Sequence, residues 1–290
     1  MAELRLFVGN QRFSSWSMRP WLALRASGLD FETIVLRFDD PAFKSKVPSA
    51  AAKVPVLLDG DLAVHESLAI CEHVAELAPT ARLWPEALAD RAQARALATE
   101  MHAGFPSIRA ECSMDVCRTE APGAWPISAA TRAEIARLDA IFASAGKRAG
   151  GPFLFGRFGI VDAMFAPVVT RFLSFGLPSS DGARPYLDAV RALPSVEEWY
   201  RAGAREHELG WEHHGRTDAV PRDVERATDM ALRWAEAWNR RDVEAILAHY
   251  ADDVVFVSPR AKELVGDAEV RGKAVLEPLA REQRARGAWP

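Results

Sequence analysis

Leu4, Leu6 and Val8 alternate with Arg5 and Phe7, the two-residue period of a strand, and Gly9-Asn10 closes it. Met18, Leu22, Ala26 and Leu29 then fall at i, i+4, i+8 and i+11, one face of a helix. Ser17 reads as its N-cap and Gly28 as its exit. Pro20 reads as a first-turn residue, where an absent N–H loses no helical partner. Glu32-Thr33-Ile34-Val35-Leu36 is a second strand, and the helix between the two strands predicts a parallel pair. Val56–Leu58 and Leu62–Val64 flank Asp59-Gly60, a hairpin signal. Ser67 opens a helix from about Leu68 to Leu77, with Ile70, Val74 and Leu77 on one face.

Pro79 to Pro85 is a polar, proline-bracketed linker, and the chain turns helical after it. Arg91 to about Cys112 carries a stripe of Ala94, Leu97, Ala98, Met101 and Phe105, with Pro106 kinking it or ending its first part. Thr131 to Ser144 is a helix with Ile135, Leu138 and Phe142 inward. Ala163 to Phe172 is apolar nearly all round, as a central helix is. Tyr186-Leu187-Val190 and Val196-Trp199-Tyr200 mark two more helices. The stretch Gly210 to Pro221 is a polar linker, its His213-His214 pair read as surface rather than metal-binding. Beyond it, Ala227, Ala231, Trp234 and Trp238 share a helical face. Asp242 to Tyr250 forms a short helix through Val243, Ile246 and Leu247, and Asp253 to Val257 forms a strand.

Composition narrows the classes. Hydrophobic residues are 49% of 290, enough to fill a core. The net charge of −4 and the lack of a basic stripe argue against nucleic acid. Cys71, Cys112 and Cys117 are too few and wrongly spaced for a disulfide framework or a Cys-x-x-Cys site; they read as thiols in a reducing cytoplasm. No signal peptide and no membrane span is expected, and no metal is implied.

The order strand–helix–strand–loop–strand–strand–helix is thioredoxin-like. Within it, Val54-Pro55 precedes a strand and Glu66-Ser67 stands at the next helix start. That constellation resembles the glutathione site of the glutathione transferase family. The resemblance implies a cis Val54-Pro55 bond, Val54 backbone groups pairing with the cysteinyl unit of glutathione, and Ser67 holding the γ-glutamyl carboxylate at a helix N-terminus. It implies Glu66 for the γ-glutamyl ammonium and Lys53 for the glycyl carboxylate.

Arg12-Phe13-Ser14-Ser15-Trp16-Ser17-Met18-Arg19 contains Ser-Ser-x-Ser-x-Arg, similar to the serine-type, maleylacetoacetate isomerase-like (zeta) group. That group has cysteine where this chain has Trp16. The alignment gives Ser14 the catalytic position, with Ser15 and Ser17 as the near alternatives. A free thiol with a pKa near ~8.5 is mostly protonated at neutral pH. A hydroxyl donating to the sulfur favours the thiolate by ~1.5–3 kcal/mol. The helix N-terminus behind it, with Arg19, adds positive potential. Met101, His102, Phe105, Arg109 and Met114, with Trp16, are candidates for the second-substrate pocket.

Phe155 to Asp162 resembles the family's buried-helix entry, with Gly159 where a capping hydroxyl is usual and Asp162 retained as a structural cap. The tail, from Trp-Ala-Glu-Ala-Trp-Asn-Arg-Arg-Asp to Val270-Arg271-Gly272-Lys273, resembles the start of a polyketide-cyclase-like cone of the nuclear-transport-factor type. Residues 223–290 are too few to close its sheet, and Asp252 and Asp253 read as turn and capping residues.

The expectation is therefore an α/β thioredoxin-like domain at 1–80, an all-α domain at 86–210, a linker at 211–222 and a partial α+β cone-like appendix at 223–290. The activity implied is attack of glutathione thiolate on a small hydrophobic electrophile, or glutathione-assisted isomerisation, by a cytoplasmic homodimer with glutathione as co-substrate. The rival readings are a non-catalytic glutathione-fold binding protein, or a fusion whose tail binds a ligand of its own.

Overall fold

The computed structural model describes residues 3–147 and 151–211, and in the tail 233, 236–237, 239–240, 242–248, 252, 255–257 and 269–271. The chain divides into two compact units, Met1–Val220 and Pro221–Pro290.

The first unit begins with a four-stranded mixed sheet in the order β2-β1-β3-β4. Strand β1 (Leu4–Gly9) pairs in parallel with β2 (Phe31–Leu36), with the helix α1 (Ser15–Ser27) crossing between them. Strands β3 (Val56–Asp59) and β4 (Leu62–His65) form the predicted hairpin, β3 antiparallel to β1. Its two-residue loop is Gly60-Asp61, one residue later than the sequence signal, with Gly60 at φ 58°. Leu4, Leu6, Val8 and Leu57 face α1 and α3 (Ser67–Leu77). The other face carries Leu36 and Val56 with Phe7, Ile34 and Leu58, and is covered by Val47 and Phe43. Phe43 belongs to α2 (Phe43–Lys46), a one-turn helix in the stretch read as loop.

The helix α1 starts at Ser15, not after Ser17. Pro20 therefore lies inside the helix, where its ring removes the bond that the Trp16 carbonyl would otherwise accept. Gly28 ends it at φ 74°, as expected.

The helical half comprises α4 (Leu88–Ala103), α5 (Pro106–Glu111), α6 (Ala129–Phe142), α7 (Ile160–Ser174), α8 (Arg184–Arg191) and α9 (Pro194–Glu208). The stripe from Arg91 to Cys112 is two helices: Phe105 at φ 59° breaks it, and Pro106 restarts it at the first position. Helix α7 is buried along nearly its whole length and packs on α1 and α4. One hydrophobic core runs through both halves, from Leu6 and Trp21 to Phe165 and Trp199.

The entry of α7 explains Gly159. A Cβ there would stand 2.6 Å from the Leu83 carbonyl oxygen, and that oxygen accepts from the Ile160 N–H at 3.0 Å. The interdomain linker thus occupies the place of a capping side chain. Asp162 remains, its two oxygens accepting from Leu154 N–H (3.1 Å) and Gly159 N–H (3.0 Å).

In the tail, Val243–Leu247 is helical, capped by Asp242, whose side chain accepts from Ala245 N–H at 3.1 Å. Val255–Val257 pairs antiparallel with Glu269–Arg271. Trp234, Trp238, Tyr250, Asp253 and the His213-His214 pair lie outside the described residues, as does the Phe256 side chain. Among the described residues, no helix is long and apolar enough to cross a membrane.

Candidate functional site

The turn after β1 brings three serines to the start of α1. Ser14 is the N-cap, yet its side chain takes no backbone N–H. Its Oγ lies 2.7 Å from Ser17 Oγ instead, and Ser17 Oγ accepts from the Gly9 N–H at 3.2 Å. Ser14 and Ser17 are both buried; Ser15, at the first helical position, is half-buried.

Opposite stands the start of α3. Val54-Pro55 is cis. Glu66 caps α3 in the left-handed region, φ 70°, and its side chain is exposed. Left-handed backbone at a non-glycine residue carries strain of about 1–3 kcal/mol and concentrates at functional sites. Ser67 is 0% exposed, and its Oγ has no hydrogen-bond partner among the described residues. A buried hydroxyl left unpaired costs about 1–3 kcal/mol, which a ligand acceptor at this helix N-terminus would relieve.

A cleft of about 390 Å³ lies beside these pieces, lined by Trp16, Ala51, Lys53, Val54, Pro55, His65, Glu66 and His102; Ser14, Ser15 and Ser67 are not among its lining residues. His102 reaches across from α4: its Nε2 is 3.9 Å from Glu66 Oε2, and its ring meets Trp16 edge-on at 5.1 Å. Burial and then the Arg19 charge push the imidazole below its ordinary pKa, which favours its neutral form.

Trp16 gathers positive charge. Arg19 lies 4.4 Å and Arg109 5.0 Å from its ring centroid. Arg19 is 2% exposed, and its Nε and Nη1 have no hydrogen-bond partner among the described residues; Arg109 Nε and His102 Nδ1 share that condition. Burial, then Arg109 and Arg171, lower the Arg19 guanidinium to about 9. Arg109 also donates to the Met101 and His102 carbonyls, closing the end of α4.

The serine turn is held from the helical half. Glu206, buried near the end of α9, accepts from Gln11 N–H (2.8 Å) and Arg12 N–H (3.1 Å). Arg12 forms a fork with Asp115, both bonds 3.0 Å, and its carbonyl accepts from Val116 N–H at 3.2 Å. Gly203 makes the close approach possible, since a Cβ there would lie 3.0 Å from Arg12 Cα.

The structure thus brings Trp16, Lys53, Val54, Pro55, Glu66 and His102 to one cleft, with Ser67 buried at the head of α3. Arg109 reaches it through Trp16. Met101, Phe105 and Met114 are buried core residues and are not among those that line it. Ser17, read as a cap and as an alternative catalytic hydroxyl, is a hydrogen-bonding partner of Ser14. Glu206 and Asp115 had no sequence signal, since their partners are backbone groups and an arginine about two hundred and one hundred residues away. The thiols of Cys71 and Cys112 are pushed by burial to about 12 and are no nucleophiles. Among the described residues no cluster fits a metal.

Residues 13–77 match the N-terminal domain of glutathione S-transferase, residues 128–202 its C-terminal domain, and residues 231–285 a SnoaL-like domain. A probable maleylacetoacetate isomerase of Caenorhabditis elegans is 34% identical over 91 residues, 31% of this chain and 42% of that protein. One from Vibrio cholerae is 48% identical over 55 residues, 19% of this chain and 26% of that protein. The chain therefore spans less than half the length of these curated relatives. Among solved structures, a glutathione transferase homolog from Burkholderia with bound glutathione aligns with a TM-score of 0.53 at 25% identity, covering 70% of this chain and 98% of that one. The Omega 2S transferase of Trametes versicolor shares the fold at 19% identity and TM-score 0.53, covering 71% and 98%. The chain carries the N- and C-terminal domain pair of the glutathione S-transferase family, followed by a SnoaL-like segment.

Proposed function

We propose that the protein is a glutathione transferase acting on a small electrophile, by conjugation or by glutathione-assisted isomerisation. The observation that carries this reading is the fully buried Ser67 hydroxyl, without a hydrogen-bond partner among the described residues, at the head of the helix whose cap, Glu66, lines one cleft with Trp16, Lys53, Val54 and Pro55. Ser67 and the head of α3 suit the γ-glutamyl carboxylate, Glu66 the ammonium, Lys53 the glycyl carboxylate, and the Val54 backbone the cysteinyl unit. The thiol is then directed at the Ser14–Ser15 turn. Ser14 is the assigned donor to sulfur and Ser15, half-buried and one residue on, its alternative. The second substrate enters against Trp16 and His102.

The curated relatives are named as probable maleylacetoacetate isomerases, and that name describes a substrate with carboxylate groups. Arg19 and Arg109 around Trp16 favour an electrophile carrying negative charge, which supports isomerisation as the form of the reaction. In this reading residues 1–80 bind glutathione, 86–210 supply the second wall, 223–290 take no part in the chemistry, and the working form is a cytoplasmic homodimer. Ser14→Ala is expected to lower turnover at least tenfold while leaving the glutathione Kd within about threefold, because the hydroxyl acts on the thiolate. Full activity in Ser14→Ala with loss in Ser15→Ala would move the role by one residue; full activity in both would refute serine activation.

A further inference from the structure

We infer that Ser17 is a positioning residue for the catalytic hydroxyl, orienting the Ser14 proton toward the sulfur of glutathione and strengthening it as a donor. The inference rests on Ser14 acting at that sulfur, as proposed above.

Ser17 is fully buried, and its oxygen has two neighbours: the Gly9 N–H at 3.2 Å and Ser14 Oγ at 2.7 Å. Two hydroxyls at that distance place one proton between the oxygens, and either can supply it. If Ser14 supplies it, Ser14 has no proton left for the cleft. If Ser17 supplies it, the Ser14 oxygen becomes the acceptor and its own proton is released for another partner. A thiolate beside Ser14 selects the second arrangement, because a hydrogen bond to a charged acceptor is about twice as strong as one between neutral groups. The Gly9 N–H holds one lone pair of Ser17, so the chain then runs one way: Gly9 N–H to Ser17, Ser17 O–H to Ser14, Ser14 O–H to sulfur. Each bond in such a chain polarises the next.

The helix position makes this possible. Ser14 is the N-cap of α1 and Ser17 is three residues on, the pair that an ordinary cap joins through the Ser17 backbone N–H. Here the N-cap side chain makes no such bond and meets the Ser17 hydroxyl instead. Ser15 lies outside this chain. The spacing Ser-Ser-x-Ser thus separates two duties, with the first serine acting and the last one aiming it.

The experiment is an absorbance titration of the thiolate in the full-length protein saturated with glutathione, run beside steady-state kinetics. Ser17→Ala is expected to raise the apparent thiol pKa by about half a unit to one unit and lower kcat about three- to tenfold, with the glutathione Kd within twofold. In a Ser14→Ala background the same substitution should add nothing to the pKa, since its only route to sulfur is gone. Ser17→Thr, which keeps the hydroxyl, should restore the wild-type pKa. Where Ser17→Ala folds poorly, Ser17→Cys keeps the volume with a weaker donor and should give an intermediate pKa. An unchanged pKa in Ser17→Ala, with Ser14→Ala raised, overturns the relay and leaves the Ser14 reading standing. A Ser17 effect that adds in full to that of Ser14→Ala also overturns it. An unchanged pKa in Ser14→Ala overturns both.

Discussion

Arg19→Met should make the protein more stable and its glutathione less acidic. Arg19 is buried, two of its nitrogens have no acceptor among the described residues, and the charges that bear most on it, Arg109 and Arg171, share its sign. The displacement of its guanidinium from 12.5 to about 9 corresponds to about 5 kcal/mol against the charged form. Stacking on Trp16 offsets about 2 kcal/mol of that. Methionine keeps the unbranched stem of the side chain and removes the charged guanidinium, so urea unfolding should show a gain of about 1–3 kcal/mol. At pH 7 Arg19 is charged in both folded and unfolded chains, and the penalty is present in full. It fades only as pH rises from about 9 toward 12.5, so the gain from methionine should shrink there. Function should move the other way. Arg19 lies one helical turn after Ser15, with Cβ atoms about 5–6 Å apart. A thiolate about 10 Å from the guanidinium, at an effective dielectric of about 20, gains about 1.5 kcal/mol, close to one pKa unit. The thiolate absorbance titration should therefore shift upward by about one unit in Arg19→Met and stay near wild type in Arg19→Lys. A methionine variant destabilised by more than about 2 kcal/mol, with its thiol pKa unmoved, would make Arg19 a prop for Trp16 and refute the argument.

Two further outcomes rest on named contacts. Ser67→Ala should weaken glutathione binding by about 1–2 kcal/mol, and Glu66→Ala by a comparable amount, read by calorimetry; no change in either sinks the assignment of the glutathione site. Asp162, raised from 3.8 to about 7 by burial, contributes stability that is complete below about pH 3.8 and lost as pH rises through about 7. Wild type should therefore lose up to about 4 kcal/mol relative to Asp162→Asn between pH 4 and pH 8, with kcat unaffected; a difference that stays flat with pH would remove Asp162 from this role.

The thioredoxin-like half was legible because local chemistry decides it. A strand followed by a polar turn and a helix, then an Asp-Gly hairpin and a helix-opening serine, leaves few topologies. The cleft residues Lys53, Val54, Pro55 and Glu66, and Ser67 beside them in sequence, sit in that same local frame. What sequence reading misplaced depends on distant partners. Ser17 looked like a cap because serine before an apolar stripe commonly is one; only the Gly9 and Ser14 contacts reveal otherwise. Met101, Phe105 and Met114 looked like pocket because an apolar stripe does not say which neighbour covers it, and the αL residue Phe105 gave no signal of its own. Gly159 looked like a weak cap, while its reason is the Leu83 carbonyl passing within contact of it.

The site belongs to both halves of the first unit. The thioredoxin-like half supplies the serines, the Val54-Pro55 backbone and the head of α3, but it does not fix the serine turn by itself. The Gln11 and Arg12 N–H groups end on the Glu206 carboxylate, and the Arg12 guanidinium ends on Asp115, both from the helical half. Burial raises the pKa of Glu206, while the two backbone donors oppose that rise, so the same contacts that hold the turn also favour the ionised carboxylate. Trp16 in turn is bounded by His102 and Arg109 of the helical half. The positions of Ser14 and Trp16, which serve thiol activation and second-substrate recognition in the proposed reaction, are therefore set by contacts that form only when both halves have folded against their shared core.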